Sequence, residues 1–223
     1  MAIFALSDLH LPLGIDKPMD IFGERWNDYV ERIEYEWNKK VSDEDFVIIN
    51  GDFSWATYLD EALRDFQFLE SLPGKKLLSK GNHDYWWETL TKMNAFLETN
   101  DIKSISFMQN TAILCGDAAV CGAKGWISPD DKAFKKDDEK IYRRELIRFE
   151  HSIKQARELS DIVIAALHYP PDDAFWEIVK KYDVYKCVFG HLHGKRAEDY
   201  TILYKNSMLV SADFLRFSPI LVF

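Results

Sequence analysis

Short apolar runs alternate with longer stretches in which apolar residues return at helical spacing, and most of these runs end in glycine, aspartate, asparagine or histidine. Ile3 to Leu6 is continuously apolar, as expected of a strand covered on both faces. After an irregular stretch, Trp26, Tyr29, Val30, Ile33 and Trp37 recur among charges and predict a helix over about Arg25 to Lys40. Phe46 to Ile49 predicts a second buried strand. Leu59, Leu63, Phe66 and Leu69 share one face of a second helix, which Pro73-Gly74 stops. Lys76 to Ser79 predicts a third strand. Strand, helix and strand in alternation are the mark of a parallel sheet with right-handed crossovers.

The middle of the chain changes character. Ser104 to Met108, Thr111 to Cys115 and Ala118 to Cys121 predict short strands, and the Gln109-Asn110 and Gly116-Asp117 breaks predict hairpins between them. A polar stretch follows, then a long helix over about Ile141 to Leu159. Ile162 to Leu167 is a strand, Ala174 to Lys181 a helix, and Tyr185 to Phe189 a strand. Three further strands are expected at Thr201 to Tyr204, Ser207 to Ser211 and Pro219 to Phe223. No repeat or composition shift divides the chain, so residues 1–223 are expected to form a single α/β domain.

Charge and cysteine usage narrow the function. A net charge of -9, from 28 basic and 37 acidic residues, argues against binding along a nucleic-acid backbone. It leaves a small phosphorylated substrate open, because bound cations would invert the local field. Cys115, Cys121 and Cys187 have no metal-knuckle spacing and read as buried free thiols. The first residues read as a strand rather than a leader, no apolar stretch would span a bilayer, and the expected location is the cytoplasm, with no membrane partner.

The chemistry sits at the ends of the strands. Asp8-Leu-His10, Gly51-Asp52, Gly81-Asn82-His83-Asp84, His168 and Gly190-His191-Leu192-His193 each follow an apolar run. Residues two apart on an extended segment point the same way, so Asp8 with His10, and His191 with His193, can each face one ion. Taken singly, each aspartate is also an ordinary turn residue and each histidine an ordinary core or surface ring. Five of six histidines at strand ends favour a shared site, and imidazole with carboxylate ligands suits manganese, iron or zinc better than magnesium.

In order, DxH, GD, GNHD, a lone histidine and GHxH resemble the calcineurin-like metallophosphoesterase superfamily, and the match spans Asp8 to His193. The resemblance implies a four-layer α/β/β/α sandwich of two mixed sheets flanked by helices. It also implies two metal ions. Asp8, His10 and His193 would hold the first, and Asn82, His168 and His191 the second, with Asp52 bridging. His83 would be no ligand but a catalytic group over the site that stabilises or protonates the leaving oxygen, with Asp84 orienting it. The protein phosphatase branch extends its motifs to GDxVDRG and GNHE. Here the text is Gly51-Asp52-Phe53-Ser54 and Gly81-Asn82-His83-Asp84, without that branch's arginine, so the resemblance is to small bacterial phosphohydrolases.

Two cations about 3.5–4 Å apart can share a water, lower its pKa and neutralise an ester phosphate, so a phosphomonoester or phosphodiester hydrolase is expected. The alternatives are a non-catalytic metal-binding scaffold, which should have lost ligands, and a nuclease, which the acidic balance opposes. Trp55, Trp86, Lys124 and Tyr169 are candidates for substrate contact, each also readable as packing or surface. The stretch 124–140 reads as a solvated loop that could form a flap.

Overall fold

The computed structural model describes residues 1–17, 19–200 and 204–223. Four parallel strands build the first sheet: β1 (Ile3–Ala5), β2 (Phe46–Ile49), β3 (Lys75–Leu78) and β4 (Ile105–Phe107). The connections are helical, with α1 (Tyr29–Lys40), α2 (Leu63–Ser71) and α3 (Leu90–Thr99) following β1, β2 and β3. The second sheet runs β5 (Ala112–Cys115), β6 (Ala118–Ala123), β7 (Ile162–Leu167), β8 (Lys186–Phe189) and β9 (Ser207–Leu209). Its first pair is antiparallel and the rest are parallel. Helices α4 (Asp138–Leu159) and α5 (Asp173–Lys181) lie on it, and a short α6 (Gly194–Glu198) follows the last histidine. A final strand, β10 (Ile220–Leu221), returns antiparallel to β1.

The order of layers is written in the strands. In β2, Phe46 and Ile48 face an apolar layer that also contains Val120, Ile164 and Val188 of the second sheet. Val47 and Ile49 face the other way, onto Ile33, Trp37 and Phe66 of α1 and α2. In the same manner Val163, Ala165 and Leu167 of β7 turn toward Phe149 of α4 and Phe175 of α5. Three apolar layers therefore lie between four layers of secondary structure, as expected of strands buried on both faces. The fold is two mixed five-stranded sheets flanked by helices.

Two sequence expectations are corrected. Gln109-Asn110 is no hairpin turn: β4 pairs with β3 in the first sheet, β5 pairs with β6 in the second, and the chain crosses between sheets at that break. A polar dipeptide marks a turn but does not choose a partner. Helix α3 lies beyond the sequence expectations, although Thr89 caps it by accepting from the Lys92 amide and Met93 and Leu97 are buried beneath it. The strand expected at Thr201 to Tyr204 falls on residues outside the described set, apart from Tyr204. No helix of the described residues is long and apolar enough to cross a membrane.

Candidate metal centre

The segments leaving β1, β2, β3, β6, β7, β8 and β9 all emerge at one edge. Past the end of β1 and β2 the two chains stay paired: the amides of Asp8, His10 and Leu11 donate to the carbonyls of Gly51, Asp52 and Phe53 at 3.0, 3.0 and 2.9 Å. The sheets are tied together at the same edge, where the Ser7 amide donates to Val210 O and the Ala212 amide to Ser7 O, both at 2.8 Å. Asp8, His10, Asp52 and His191 hold φ values of 56°, 47°, 52° and 70°. Left-handed backbone at non-glycine residues is costly and persists only where surroundings enforce it. Here the carboxylate of Asp84 enforces part of it. Buried, it accepts from the amides of Asp52 (2.8 Å), Phe53 (2.9 Å) and Gly81 (2.7 Å) and from Trp86 Nε1 (3.1 Å). Gly81 and Gly190 give room, since a Cβ on either would fall 2.1 Å from the Asp52 or the Asp8 carboxylate.

Two sets of side chains converge. Asp8, His10 and His193 have ligand atoms mutually within 4.8 Å, as do Asp8, Asp52 and His168. His193 Nε2 is 3.5 Å from Asp8 Oδ1 and 3.3 Å from His10 Nε2. Asp8 is common to both sets, and Asp52 Oδ2 of the second approaches His10 Nε2 of the first at 3.9 Å and His168 Nε2 of its own at 3.5 Å. Asn82 Oδ1 meets His168 Nε2 at 2.6 Å and His191 Nδ1 at 2.8 Å. The seven sequence-derived ligand candidates, Asp8, His10, Asp52, Asn82, His168, His191 and His193, are thus in one place.

The donor set suits cations. His168 Nδ1 faces the Asn50 carbonyl at 3.2 Å, and His193 Nδ1 faces Asp213 Oδ1 at 2.8 Å. An outer acceptor on Nδ1 is the pattern that orients a ligating imidazole, since a neutral ring that donates there leaves its Nε2 lone pair for a cation. Asp8 Oδ2 is buried without a hydrogen-bond partner among the described residues. Burial, with its neighbouring rings, holds His10 well below the ordinary histidine range; burial also lowers His168, and burial with His168 lowers His191 to about 3. Neutral imidazoles are the ligating form. Burial would also lower His193, but Asp213 and Asp8 outweigh it and raise the ring to about 10. Burial and the charge of Asp8 push Asp52 upward. The site concentrates negative charge and lone pairs, and Mn, Fe or Zn ions match that donor set.

Around the centre the other candidates separate. The His83 ring sits 5.7 Å from His10 and 5.0 Å from Trp55, and its amide donates to Asp52 Oδ1 at 2.8 Å. Trp55 stacks on His10 at 4.5 Å, and the two line a cavity of about 540 Å³ with Phe22, Trp26 and His83. Tyr169 lies 4.3 Å from His191 and borders a second cavity, of about 760 Å³. Loop residues Trp126 to Ser128, Asp131 and Ala133 form the facing wall of that cavity, anchored by Trp126 Nε1 on Asp138 Oδ1 at 2.9 Å. The Lys124 carbonyl accepts from His168 and Tyr169, and its ammonium lies over Trp126 in a third cavity.

Two expected roles are corrected. Trp86 is 1% exposed and packs among Phe53, Phe66 and Phe107, so it is core rather than substrate surface. Asp84 does not orient His83: its carboxylate is committed to backbone amides and Trp86, because the tight turn leaves those donors no other acceptor. Sequence reasoning misses Asp213. It binds His193 Nδ1 and the Gly194 amide, and a lone aspartate after Ser211-Ala212 carries no spacing signal. Tyr29, whose hydroxyl donates to His10 O at 2.6 Å, reads in sequence only as part of a helix face.

A family model described as calcineurin-like phosphoesterase matches residues 1–195. Among solved structures, TT1561 of Thermus thermophilus is similar with a TM-score of 0.59 and 15% identity, covering 98% of this chain and 96% of that one. Phosphopantetheinyl hydrolase (PptH) from Mycobacterium tuberculosis is similar with a TM-score of 0.53 and 13% identity, covering 94% and 88%. Curated protein sequences give no match. At such identities the two structures speak for the fold alone.

Proposed function

Since the chain belongs to the calcineurin-like phosphoesterase family, a family of metal-dependent phosphoester hydrolases, we propose that it hydrolyses a small phosphomonoester or phosphodiester at a two-metal centre. Asp8, His10 and His193 would hold one ion, and Asn82, His168 and His191 the other. The observation that carries this reading is Asp52 Oδ2, set between a ring of each group at 3.9 and 3.5 Å. When bound, such ions supply Lewis-acid neutralisation of phosphate oxygens and an acidified water.

The chain's own residues do the rest. Asp213 and Asn50 O orient the His193 and His168 rings so that their free nitrogens face inward. His83, half-buried beside His10, has its pKa lowered by burial and by His168, so it is neutral near pH 7 and keeps one ring N–H. That N–H donates a hydrogen bond to the leaving-group oxygen and stabilises the charge developing there, without giving up the proton. Trp55, with Phe22 and Trp26, offers an apolar wall for the leaving group on the His83 side, and Tyr169 flanks the opposite side.

The test pairs an aryl phosphomonoester with a bis-aryl phosphodiester, each assayed with manganese, iron or zinc and after chelation. Metal-dependent turnover of at least one, with about two ions per chain by elemental analysis, is the expected result. Metal-independent rates would overturn it. His83→Ala should retain metal and lose rate.

A further inference from the structure

The third cavity, of about 370 Å³, opens beside the Asn82 side of the centre and is unlike the rest of an acidic chain. Lys80, Lys124, Arg144 and Arg148 line it. Arg148 is paired with Glu145 at 2.6 Å, and Glu88 at the rim is paired with Lys92 at 3.3 Å. Among the described residues, no carboxylate lies within 4.0 Å of the Lys80, Lys124 or Arg144 charged group. The same cavity collects polar atoms that are buried yet without a hydrogen-bond partner: Ser79 Oγ, Trp87 Nε1 and Glu145 Oε2, on residues 2%, 8% and 2% exposed. Those three atoms have almost no accessible surface and lie behind the cavity wall, so the cationic side chains are what the hollow presents to an occupant. Three cationic side chains without a carboxylate partner around one hollow make a pocket for an anion.

The pocket is built onto the centre. Lys80 precedes Gly81-Asn82, which places its Cα within about 8 Å of a candidate ligand residue. Lys124 supplies the carbonyl that receives the His168 amide at 3.1 Å. We infer that this cavity is a second anion subsite, and that the substrate carries, besides the scissile phosphate, a distal phosphate or carboxylate. The inference rests on the hydrolase reading and names the substrate class for it.

Wild type, Lys80→Gln and Arg144→Gln are compared on alkanediol monophosphates, their bisphosphates and the matching phosphoalkanoates, in graded chain lengths. Exposed Lys103→Gln is the control. At one length the bisphosphate or the phosphoalkanoate should exceed the monophosphate in kcat/KM by about tenfold or more, and whichever does identifies the distal anion. Both cavity variants should shrink that ratio toward one, and the control should keep it. Equal values in all three series, with the aryl phosphate still hydrolysed, would overturn the subsite and leave the hydrolase standing. If no ester is hydrolysed, calorimetric titration of chelator-treated protein with tripolyphosphate decides: binding weakened about tenfold in Arg144→Gln supports the pocket, and absence of binding to wild type removes it.

Discussion

The two sheets deliver their ligands to the same centre by different means. The first sheet shapes its contribution with backbone: Asp8, His10 and Asp52 sit in left-handed conformations, held by paired loops and by the Asp84 carboxylate. The second sheet has one such residue, His191, and otherwise relies on outer partners, Asn50 O for His168 and Asp213 for His193. Each half also leans on the other, since Asn50 Nδ2 donates to Leu167 O and the His191 amide donates to Asp8 Oδ1 at 2.9 Å. A strained backbone holds a carboxylate with little freedom, whereas a ring can be turned by one hydrogen bond. Damage to the first sheet's side should therefore be all-or-none, and damage to the second side graded.

The largest effect is expected at the shared residue. Asp52→Asn should lower kcat by at least about a thousandfold and reduce the ions retained per chain, measured by steady-state kinetics and elemental analysis. Gly81→Ala comes next, because its Cβ would fall 2.1 Å from Asp52 Oδ1 and 2.3 Å from Asp52 N, both rigidly placed. A stability loss of about 1–3 kcal/mol, with a drop of several degrees in Tm and loss of metal, is the expected outcome. A variant with wild-type Tm and metal content would refute the claim that the first half is locked.

On the second side, Asp213→Ala should weaken metal binding by about 10–100-fold while the fold persists, checked by competition with a chelator of known affinity. An all-or-none loss there would erase the contrast. The smallest effect concerns Asp65, which accepts from Leu13 N at 2.8 Å and from Ser54 Oγ, behind the first sheet's loops. Burial raises its pKa to about 7, so between the ordinary carboxylate range and pH 7 the folded state keeps a proton that the unfolded state has lost. Its contribution to stability is present at low pH and vanishes as pH rises through about 7. Urea midpoints at pH 5 and pH 8 should fall with pH in wild type relative to Asp65→Asn; parallel changes in both proteins would dismiss this carboxyl as the source.

Strand-ends were legible because a buried strand must be apolar throughout, so Ile3 to Leu6, Phe46 to Ile49 and Ile162 to Leu167 announce themselves, and the polar residues that follow stand out against them. Spacing of two singles out Asp8 with His10 and His191 with His193, but not for the expected reason: Asp8, His10 and His191 are left-handed rather than extended, and the loops past the strands aim them. Helix α3 and the crossing at Gln109-Asn110 were not legible, since partner choice between β4 and β5 depends on which sheet edge is free. Asp84 shows the same limit: the resemblance implies that it orients His83, and the folded turn gives its carboxylate backbone amides instead.

By itself the sequence determined the alternation of strands and helices and the inventory of imidazoles and carboxylates, because both are local properties of short segments. Only the tertiary structure decided which groups meet. The outward hydrogen bond from His193 to Asp213, the burial of Trp86 and the gathering of Lys80, Lys124, Arg144 and Arg148 around one hollow all join residues distant along the chain. Those contacts are set by the packing of two sheets against each other, and no spacing within a segment records them.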